Sequence, residues 1–219
     1  MRVLVAGASG GVGRAVVTMA NAWGHEVFAL SRKPIDQPVW RHMQVDILNE
    51  AALFAAMGSD IDVVISCIGM QRRNPNNPWS PSISPINLTY MATRSMCRCM
   101  KMCGVSRIIA LSAAGVAESA AGLNFVMKTM LATTMIGTAY ADLAHMEQVL
   151  AHSGLDWLAP RPTRLIDGTP TSRVRVTDRF AVNDSIRRSD VACWIIDAIS
   201  QPTWPTAEWG SRTPQITGD

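Results

Sequence analysis

The amino-acid sequence predicts an α/β fold in which a doubly wound, mostly parallel sheet carries helices on both faces. Two observations support this prediction. Near the start of the chain, an apolar run at residues 3–6 leads into a glycine-rich turn and then into an alanine- and valine-rich amphipathic stretch. Beyond it, segments with strand periodicity alternate with segments with helix periodicity, as expected of successive βαβ units.

Six strands, with helices between them, follow from this alternation. The predicted strands cover residues 2–6, 26–30, 42–46, 62–66, 107–112 and 156–159. The predicted helix N-caps are Asn49, Ser84 and Ser189, and Asp190 is expected in the first turn of the last helix.

Two segments interrupt the alternation. The first is a proline- and asparagine-rich loop at residues 71–85, which contains Trp79. The second follows Pro160 and contains two short strand candidates, residues 173–176 and 180–182, and one helix, residues 189–200. We expect this second segment to form a small C-terminal extension of the sheet.

The glycine-rich turn has the spacing Gly7-x-x-Gly10-x-x-Gly13. Between a strand and a helix, this spacing is typical of the turn that binds a dinucleotide in a Rossmann-type fold. Gly7 permits the tight turn, Gly10 lets the backbone approach a pyrophosphate, and Gly13 lets the helix pack closely on the sheet. The N–H groups at the start of the helix would bind the phosphates. The alternative is an ordinary turn of an α/β domain. The other turn residues expected at this site are Ser9, Gly11 and Val12.

The end of the second predicted strand indicates which dinucleotide is bound. A site that prefers NAD places a carboxylate there, which binds the ribose 2′-hydroxyl. This strand is followed instead by Ser31, Arg32 and Lys33. A hydroxyl and two cations are suited to a 2′-phosphate, so the sequence favours NADP(H) over NAD(H). The alternative is a solvated basic turn.

Composition and charge indicate one globular domain. The chain has 219 residues, of which 48% are hydrophobic and 17% charged. We expect one domain, residues 1–219, with residues 161–219 contributing the substrate side. A scattered net charge of +3 argues against nucleic acid, and no apolar run approaches the ~20 residues of a membrane span.

The cysteines and the start of the chain bear on location and assembly. Five cysteines, and a strand that begins at once, are typical of a cytoplasmic protein with reduced thiols. Cysteines and histidines lack the spacing of a zinc site, so no metal is expected. We expect a monomer or a homodimer.

The order and spacing of several motifs resemble a known family over essentially the full length. The motifs are the glycine turn, Ser31-Arg32-Lys33, Val45-Asp46-Ile47, Ile65-Ser-Cys-Ile-Gly69, Arg107-Ile-Ile-Ala-Leu-Ser-Ala-Ala-Gly115, Glu147-x-x-Leu-x-x-Ser-Gly-Leu-Asp-Trp157, Arg161-Pro162 and Ser189-Asp190-Val-Ala192. The chain resembles the NmrA-like, NAD(P)H-binding, atypical short-chain dehydrogenases/reductases. Among these it is similar to the biliverdin-IXβ/flavin reductases.

This resemblance implies positions along a bound cofactor. Asp46 and Ile47 would flank the adenine, and Ile68 and Gly69 would line the pyrophosphate and ribose. The stretch Ser112, Ala113, Ala114 would lie beneath the nicotinamide. Each segment follows the carboxyl end of a predicted strand, where ligands of open α/β sheets bind. The implied cofactor site also includes Cys67 and Pro160.

The tyrosine and lysine that donate the proton in a typical short-chain dehydrogenase are missing. Tyr90 is followed four residues later by Arg94, and Tyr140 by Ala144. The biliverdin/flavin reductases also lack this pair, so protonation by solvent is compatible with the resemblance. The candidate catalytic residues are Ser112, which could hydrogen-bond a substrate carbonyl, and Tyr140, expected just before a helix at residues 144–150. The alternatives are a serine satisfied by backbone and a tyrosine that anchors the helix.

Substrate contacts are expected from Phe125, Met127, Trp79 and Arg161. Flexible methionines near an aromatic side chain suit an irregular or flat ligand. The alternative is that such residues fill the core.

Two classes of function remain. The first is NADPH-dependent reduction of a flat or conjugated acceptor such as a flavin, quinone, tetrapyrrole or polyketide-like ketone. The second is a non-catalytic NADP(H) sensor of the NmrA type, and a smaller alternative is an NAD(P)-dependent isomerase or dehydratase. The short C-terminal region leaves little room for a partner-binding module, which favours the enzyme.

Overall fold

Six parallel strands form the central sheet of the computed structural model, which describes residues 1–58, 60–181 and 183–218. The strands are β1 (Arg2–Ala6), β2 (Glu26–Ser31), β3 (Arg41–Gln44), β4 (Val63–Ser66), β5 (Arg107–Ala110) and β6 (Asp156–Leu158). Their order in the sheet is β3-β2-β1-β4-β5-β6. The predicted doubly wound α/β fold is confirmed, and the order reverses direction between β1 and β4, where such sheets bind ligands.

Helices cover both faces of the sheet. They are α1 (Gly11–Ala22), α2 (Glu50–Met57), α3 (Leu88–Cys103), α4 (Phe125–Thr133), α5 (Met135–Ala151) and α6 (Arg188–Ile199), with a short 3₁₀ helix at Ala117–Gly122. Side chains alternate along β1, so that Val3 and Val5 pack with α1 and α6, while Leu4 and Ala6 pack with the helices of the opposite face. None of the helices in the described ranges is both long and apolar enough to cross a membrane.

The predicted helix starts are confirmed in part. Asn49 caps α2, since its side chain accepts a hydrogen bond from Ala52 N at 3.1 Å. The caps predicted at Ser84 and Ser189 are wrong. Ser84 accepts from the backbone of Gln71 instead, and α3 begins only at Leu88. Ser189 lies inside α6 and donates to the Gly168 carbonyl.

Asp190 does lie in the first turn of α6, as predicted. Its buried carboxylate accepts hydrogen bonds from Thr171 N (2.6 Å), Thr171 Oγ1 (2.8 Å) and Ser172 N (3.0 Å). It therefore anchors the loop at Thr171 and Ser172, which leads into the short strand Val174–Val176.

The chain after β6 forms two small sheets. They contain β7 (Arg161–Pro162), β8 (Arg164–Ile166), β9 (Val174–Val176), β10 (Ser185–Arg187) and β11 (Gln215–Gly218), ordered β10-β8 and β7-β11-β9. The strand predicted at residues 173–176 is confirmed as β9. Of the strand predicted at residues 180–182, Phe180 and Ala181 lie outside any strand, and Val182 lies outside the described residues.

The first turn of α1 lies directly against the glycine turn. A Cβ atom on Gly13 would overlap the carbonyl oxygen of Gly7 and would lie 3.0 Å from the Cα of Ala8. Both neighbours are backbone atoms and cannot rotate away. The close packing of helix on strand end therefore requires glycine at position 13, as the spacing of the turn predicts.

We expect Gly13→Ala to lower the free energy of unfolding by about 1–3 kcal/mol, the usual cost of overpacking. For a chain of this size the melting temperature should fall by roughly 2–4 °C for each kcal/mol. Gly122→Ala is a suitable control, because a Cβ atom there meets nothing within 4 Å and the backbone lies outside the left-handed region. Equal thermal unfolding of the two variants would contradict this packing.

Candidate functional site

A cavity of about 560 Å³ opens at the carboxyl end of the central sheet, across the reversal between β1 and β4. Its size is typical of a small-molecule site. Fourteen residues predicted to bind a cofactor line it: Gly7, Ser9, Gly10, Gly11, Val12, Ser31, Arg32, Lys33, Asp46, Ile47, Cys67, Ile68, Gly69 and Ser112.

The glycine turn lies in the middle of the cavity wall. Gly7 has a φ of +79°, a left-handed conformation that favours glycine. Its N–H donates to the carbonyl of Leu30 at 2.9 Å, and the N–H of Gly10 donates to the carbonyl of Gly7 at 2.9 Å. Gly10 occupies the N-cap position of α1, and because it has no side chain it offers no capping hydrogen bond to the first turn. The N–H groups of the first turn are thus left for an anion at the positive end of the helix dipole.

A basic turn forms one end of the cavity. The buried Ser31 hydroxyl donates to the carbonyl of Lys33 at 2.5 Å and lies 3.0 Å from Nε2 of His42, so it holds the turn in shape. The exposed side chains of Arg32 and Lys33 line this end. The carboxylate of Asp46 lies nearby but accepts a hydrogen bond from Leu48 N at 3.1 Å. The neighbouring strand β3 ends at Gln44, two residues before the predicted end.

Apolar side chains form the opposite end, and sequence reasoning missed them. They come from segments far apart in the chain: Leu88 of α3, Leu111 after β5, Leu143 of α5 and Leu165 of β8. The small sheets after β6 therefore contribute to the cavity. No local sequence signal marks these leucines, because their meeting depends on the packing of distant elements.

Arg188 is a second residue that sequence reasoning missed. It is the first residue of α6 and lines the cavity beside the glycine turn. A Cβ atom on Gly11 would lie 2.9 Å from its Cδ and Nε atoms, so the guanidinium stem lies directly over the turn. Its Nη1 donates to Asp167 Oδ1 at 2.6 Å, and the Asp167 side chain is 91% exposed. Glycine at position 11 makes room for this arginine.

Cys67 also lines the cavity, at the end of β4. Burial raises the pKa of its thiol to about 12. It therefore presents a neutral, weakly polar surface to a ligand, with no thiolate at neutral pH.

A buried charge cluster lies behind the apolar end. Ser112 Oγ donates to Glu147 Oε1 at 2.6 Å. Arg161 donates to both oxygens of the same carboxylate, from Nε at 2.9 Å and from Nη2 at 2.6 Å. On its other side Arg161 pairs with Glu118 of the 3₁₀ helix. Burial of the Arg161 guanidinium opposes its charge, but the hydrogen bonds from the two glutamates raise its pKa above the ordinary value.

This cluster holds Arg161, from which a substrate contact is expected. Its side chain is 2% exposed and is not part of the cavity wall, and its charge neutralises Glu147. The hydrogen bond from Arg161 lowers the pKa of Glu118, so that carboxyl remains ionised opposite the guanidinium.

Tyr140 lies within α5, which begins at Met135 because Thr134 caps it; the start predicted at residue 144 is wrong. The Tyr140 hydroxyl donates to the carbonyl of Ala114 at 3.1 Å, and burial raises its pKa. It is not part of the cavity wall. This is the geometry of an anchor between α5 and the segment after β5.

The remaining expected residues lie outside the cavity wall. Phe125 and Met127 are in α4 and Trp79 is in the loop, with Phe125 83% and Trp79 66% exposed. Ala113, Ala114 and Pro160 lie on two neighbouring segments beyond the ends of β5 and β6. These segments are joined by hydrogen bonds from Ser112 N to the Pro160 carbonyl and from Ala114 N to the Pro162 carbonyl.

We predict that Arg161→Ala destabilises the protein by about 3–5 kcal/mol, because it leaves the buried Glu147 carboxylate without its cation. Glu118→Gln removes a carboxylate from the same arginine, but its side chain is 72% exposed, so it should cost under about 1 kcal/mol. Denaturant unfolding of both variants is the measurement. An Arg161→Ala protein of normal stability that merely binds an acceptor less well would show that Arg161 contacts the substrate.

The sequence profile of the NAD(P)H-binding family matches residues 7–202 of this chain. No curated protein matches the chain significantly.

Solved structures share the fold. Anaerobilin reductase ChuY from Escherichia coli O157:H7 is 23% identical, with a TM-score of 0.77 over 99% of this chain and 96% of that chain. The oxidoreductase ylbE from Lactococcus lactis is 14% identical, with a TM-score of 0.76 over 100% and 91%. A candidate NADH-flavin reductase from Streptococcus pneumoniae TIGR4 is 18% identical, with a TM-score of 0.70 over 100% of both chains. At these identities the likeness establishes the fold.

Proposed function

Since this chain belongs to the NAD(P)H-binding family, we propose that it is an NADPH-dependent oxidoreductase of the atypical short-chain type. It transfers a hydride to a flat or conjugated acceptor, such as a flavin, quinone, tetrapyrrole or polyketide-like ketone. One observation carries the proposal: the glycine turn after β1 lines a cavity together with the basic turn after β2, on one side of it, and Leu111 after β5, on the other.

The residues present fit the cofactor. The first turn of α1 offers N–H groups to a pyrophosphate, and Arg188 adds a cation beside them. Arg32 and Lys33 directly follow β2, the position from which a Rossmann-type fold contacts the adenosine ribose, and they would bind its 2′-phosphate. When bound, the nicotinamide supplies the hydride. The adenine half then lies near Asp46 and Ile47, and the reacting half lies toward Ser112.

The apolar end of the cavity supports a flat acceptor. Leu111, Leu143 and Leu165 offer a surface on which a conjugated ring system can lie. Leu165 belongs to residues 161–219, which we propose as the substrate side of a single domain. The names of two neighbours of the same fold, an anaerobilin reductase and a candidate flavin reductase, are consistent with a conjugated acceptor.

Both candidate acids already donate their protons within the protein. The Ser112 proton is held by Glu147, and the Tyr140 hydroxyl is bonded to the Ala114 carbonyl with a raised pKa. We therefore propose that the proton comes from water or from an ionisable group of the acceptor. The rate would depend on the placement of nicotinamide against acceptor.

The hydrogen bonds that engage Ser112 and Tyr140 favour a second candidate function. They also suit a protein that binds NADP(H) without turnover and senses its redox state. The two candidates differ in a single property, the consumption of NADPH.

NADPH should bind more tightly than NADH. NADH has no 2′-phosphate for Arg32 and Lys33 to pair with, and the loss of that pairing costs about 1.5–3 kcal/mol, roughly tenfold or more in affinity. Calorimetry on Arg32→Ala should show weaker binding of NADPH and unchanged binding of NADH. The matched control is Arg188→Ala, which should weaken the binding of both cofactors by a similar factor, because both carry a pyrophosphate. Equal affinities for the two cofactors in the native chain would contradict the NADPH assignment.

The oxidation of NADPH, followed by absorbance with riboflavin, menadione, biliverdin and an aromatic diketone in turn, tests the reaction. We expect turnover with at least one of these flat acceptors. Tight NADPH binding with no turnover across the panel would contradict the reductase and would support the second candidate function, a non-catalytic NADP(H) sensor.

A further inference from the structure

Ser112 is one of the polar residues that line the cavity, next to Leu111. A serine hydroxyl has one proton to donate and two lone pairs that accept. In the structure the hydroxyl donates this proton to Glu147, since Ser112 Oγ lies 2.6 Å from Glu147 Oε1. An ionised carboxylate can only accept, so the direction of this hydrogen bond is fixed.

Arg161 holds the Glu147 carboxylate in place. Its guanidinium forms two hydrogen bonds to that carboxylate, and both side chains are buried, with 2% of the Arg161 side chain and 8% of the Glu147 side chain exposed. Both oxygens of the carboxylate accept from Arg161, and Oε1 also accepts from Ser112. The serine hydroxyl is therefore the donor in this pair.

We infer that Glu147 is a positioning residue that fixes Ser112 as a hydrogen-bond acceptor toward the cavity. The wall at this point takes a ligand group that presents an N–H donor. This inference rests on the proposed function for the identity of the ligand. A dinucleotide that starts at Arg32 and crosses the glycine turn extends toward Ser112, and its carboxamide carries such N–H groups.

This assignment reverses the role expected from sequence alone. A hydroxyl that donates to a substrate carbonyl would favour ketones and would assist their protonation. With its proton on Glu147, Ser112 repels a carbonyl oxygen and attracts an amide N–H. The hydroxyl therefore selects and orients the nicotinamide and leaves the acceptor to its apolar surroundings.

The test compares binding of NADP⁺ with that of its 3-acetylpyridine analogue, which keeps a carbonyl but has no N–H donor. Calorimetry with the native full-length chain gives the ratio of the two affinities. One neutral hydrogen bond supports a ratio of about three- to tenfold in favour of NADP⁺. In Ser112→Ala the ratio should fall by that factor, through weaker binding of NADP⁺ alone.

Glu147→Gln separates positioning from mere presence of the hydroxyl. An amide can donate to Ser112 and release the serine proton toward the cavity, so the ratio should fall at least as far as in Ser112→Ala. Glu118→Gln is the matched control, because it weakens the pairing of the same Arg161 without touching Ser112. It should keep the native ratio.

A native ratio that survives in Ser112→Ala, or in a folded Glu147→Gln protein, would overturn the inference while leaving the proposed function intact. If Glu147→Gln does not fold, a native chain that binds the analogue as tightly as NADP⁺ would still overturn it. No binding of NADP⁺ by the native chain would overturn the proposed function itself, and this inference with it.

Discussion

The first turn of α1 lies against the backbone of the glycine turn, and the position of the site depends on this contact. A side chain at Gly13 would push the helix away from Gly7 and carry its N–H groups out of the cavity. Because the contact lies where the sheet order reverses between β1 and β4, both halves of the sheet open onto it. The cations that follow β2 lie on one side of this contact, and Leu111, which follows β5, lies on the other.

The buried cluster of Ser112, Glu147 and Arg161 is the second constraint. It connects the end of β5, α5 and β7, and Glu118 extends it to the 3₁₀ helix. Buried charges of this kind contribute little net stability, but removing one partner is costly. Their value here lies in geometry: they fix the direction of a single hydroxyl proton beside the site.

Local patterns were enough to predict much of the fold and one half of the site. The strands, the glycine turn and the basic turn after β2 are set by residues adjacent in sequence, so their spacing was informative. Arg188, Leu143 and Leu165 were missed because they reach the cavity only through packing of distant elements. The same limit applies to Arg161, whose pairing with Glu147 and Glu118 no local pattern indicated. The caps predicted at Ser84 and Ser189 failed because their hydroxyls bond to neighbouring loops.

The central claim is that one dinucleotide lies across the glycine turn from the basic turn to Ser112. A crystal structure of the complex with NADPH measures this directly. The account predicts the 2′-phosphate at Arg32 and Lys33, the pyrophosphate at the first turn of α1 and the carboxamide N–H within hydrogen-bond distance of Ser112 Oγ. A cofactor bound in the opposite direction, or outside this cavity, would contradict it.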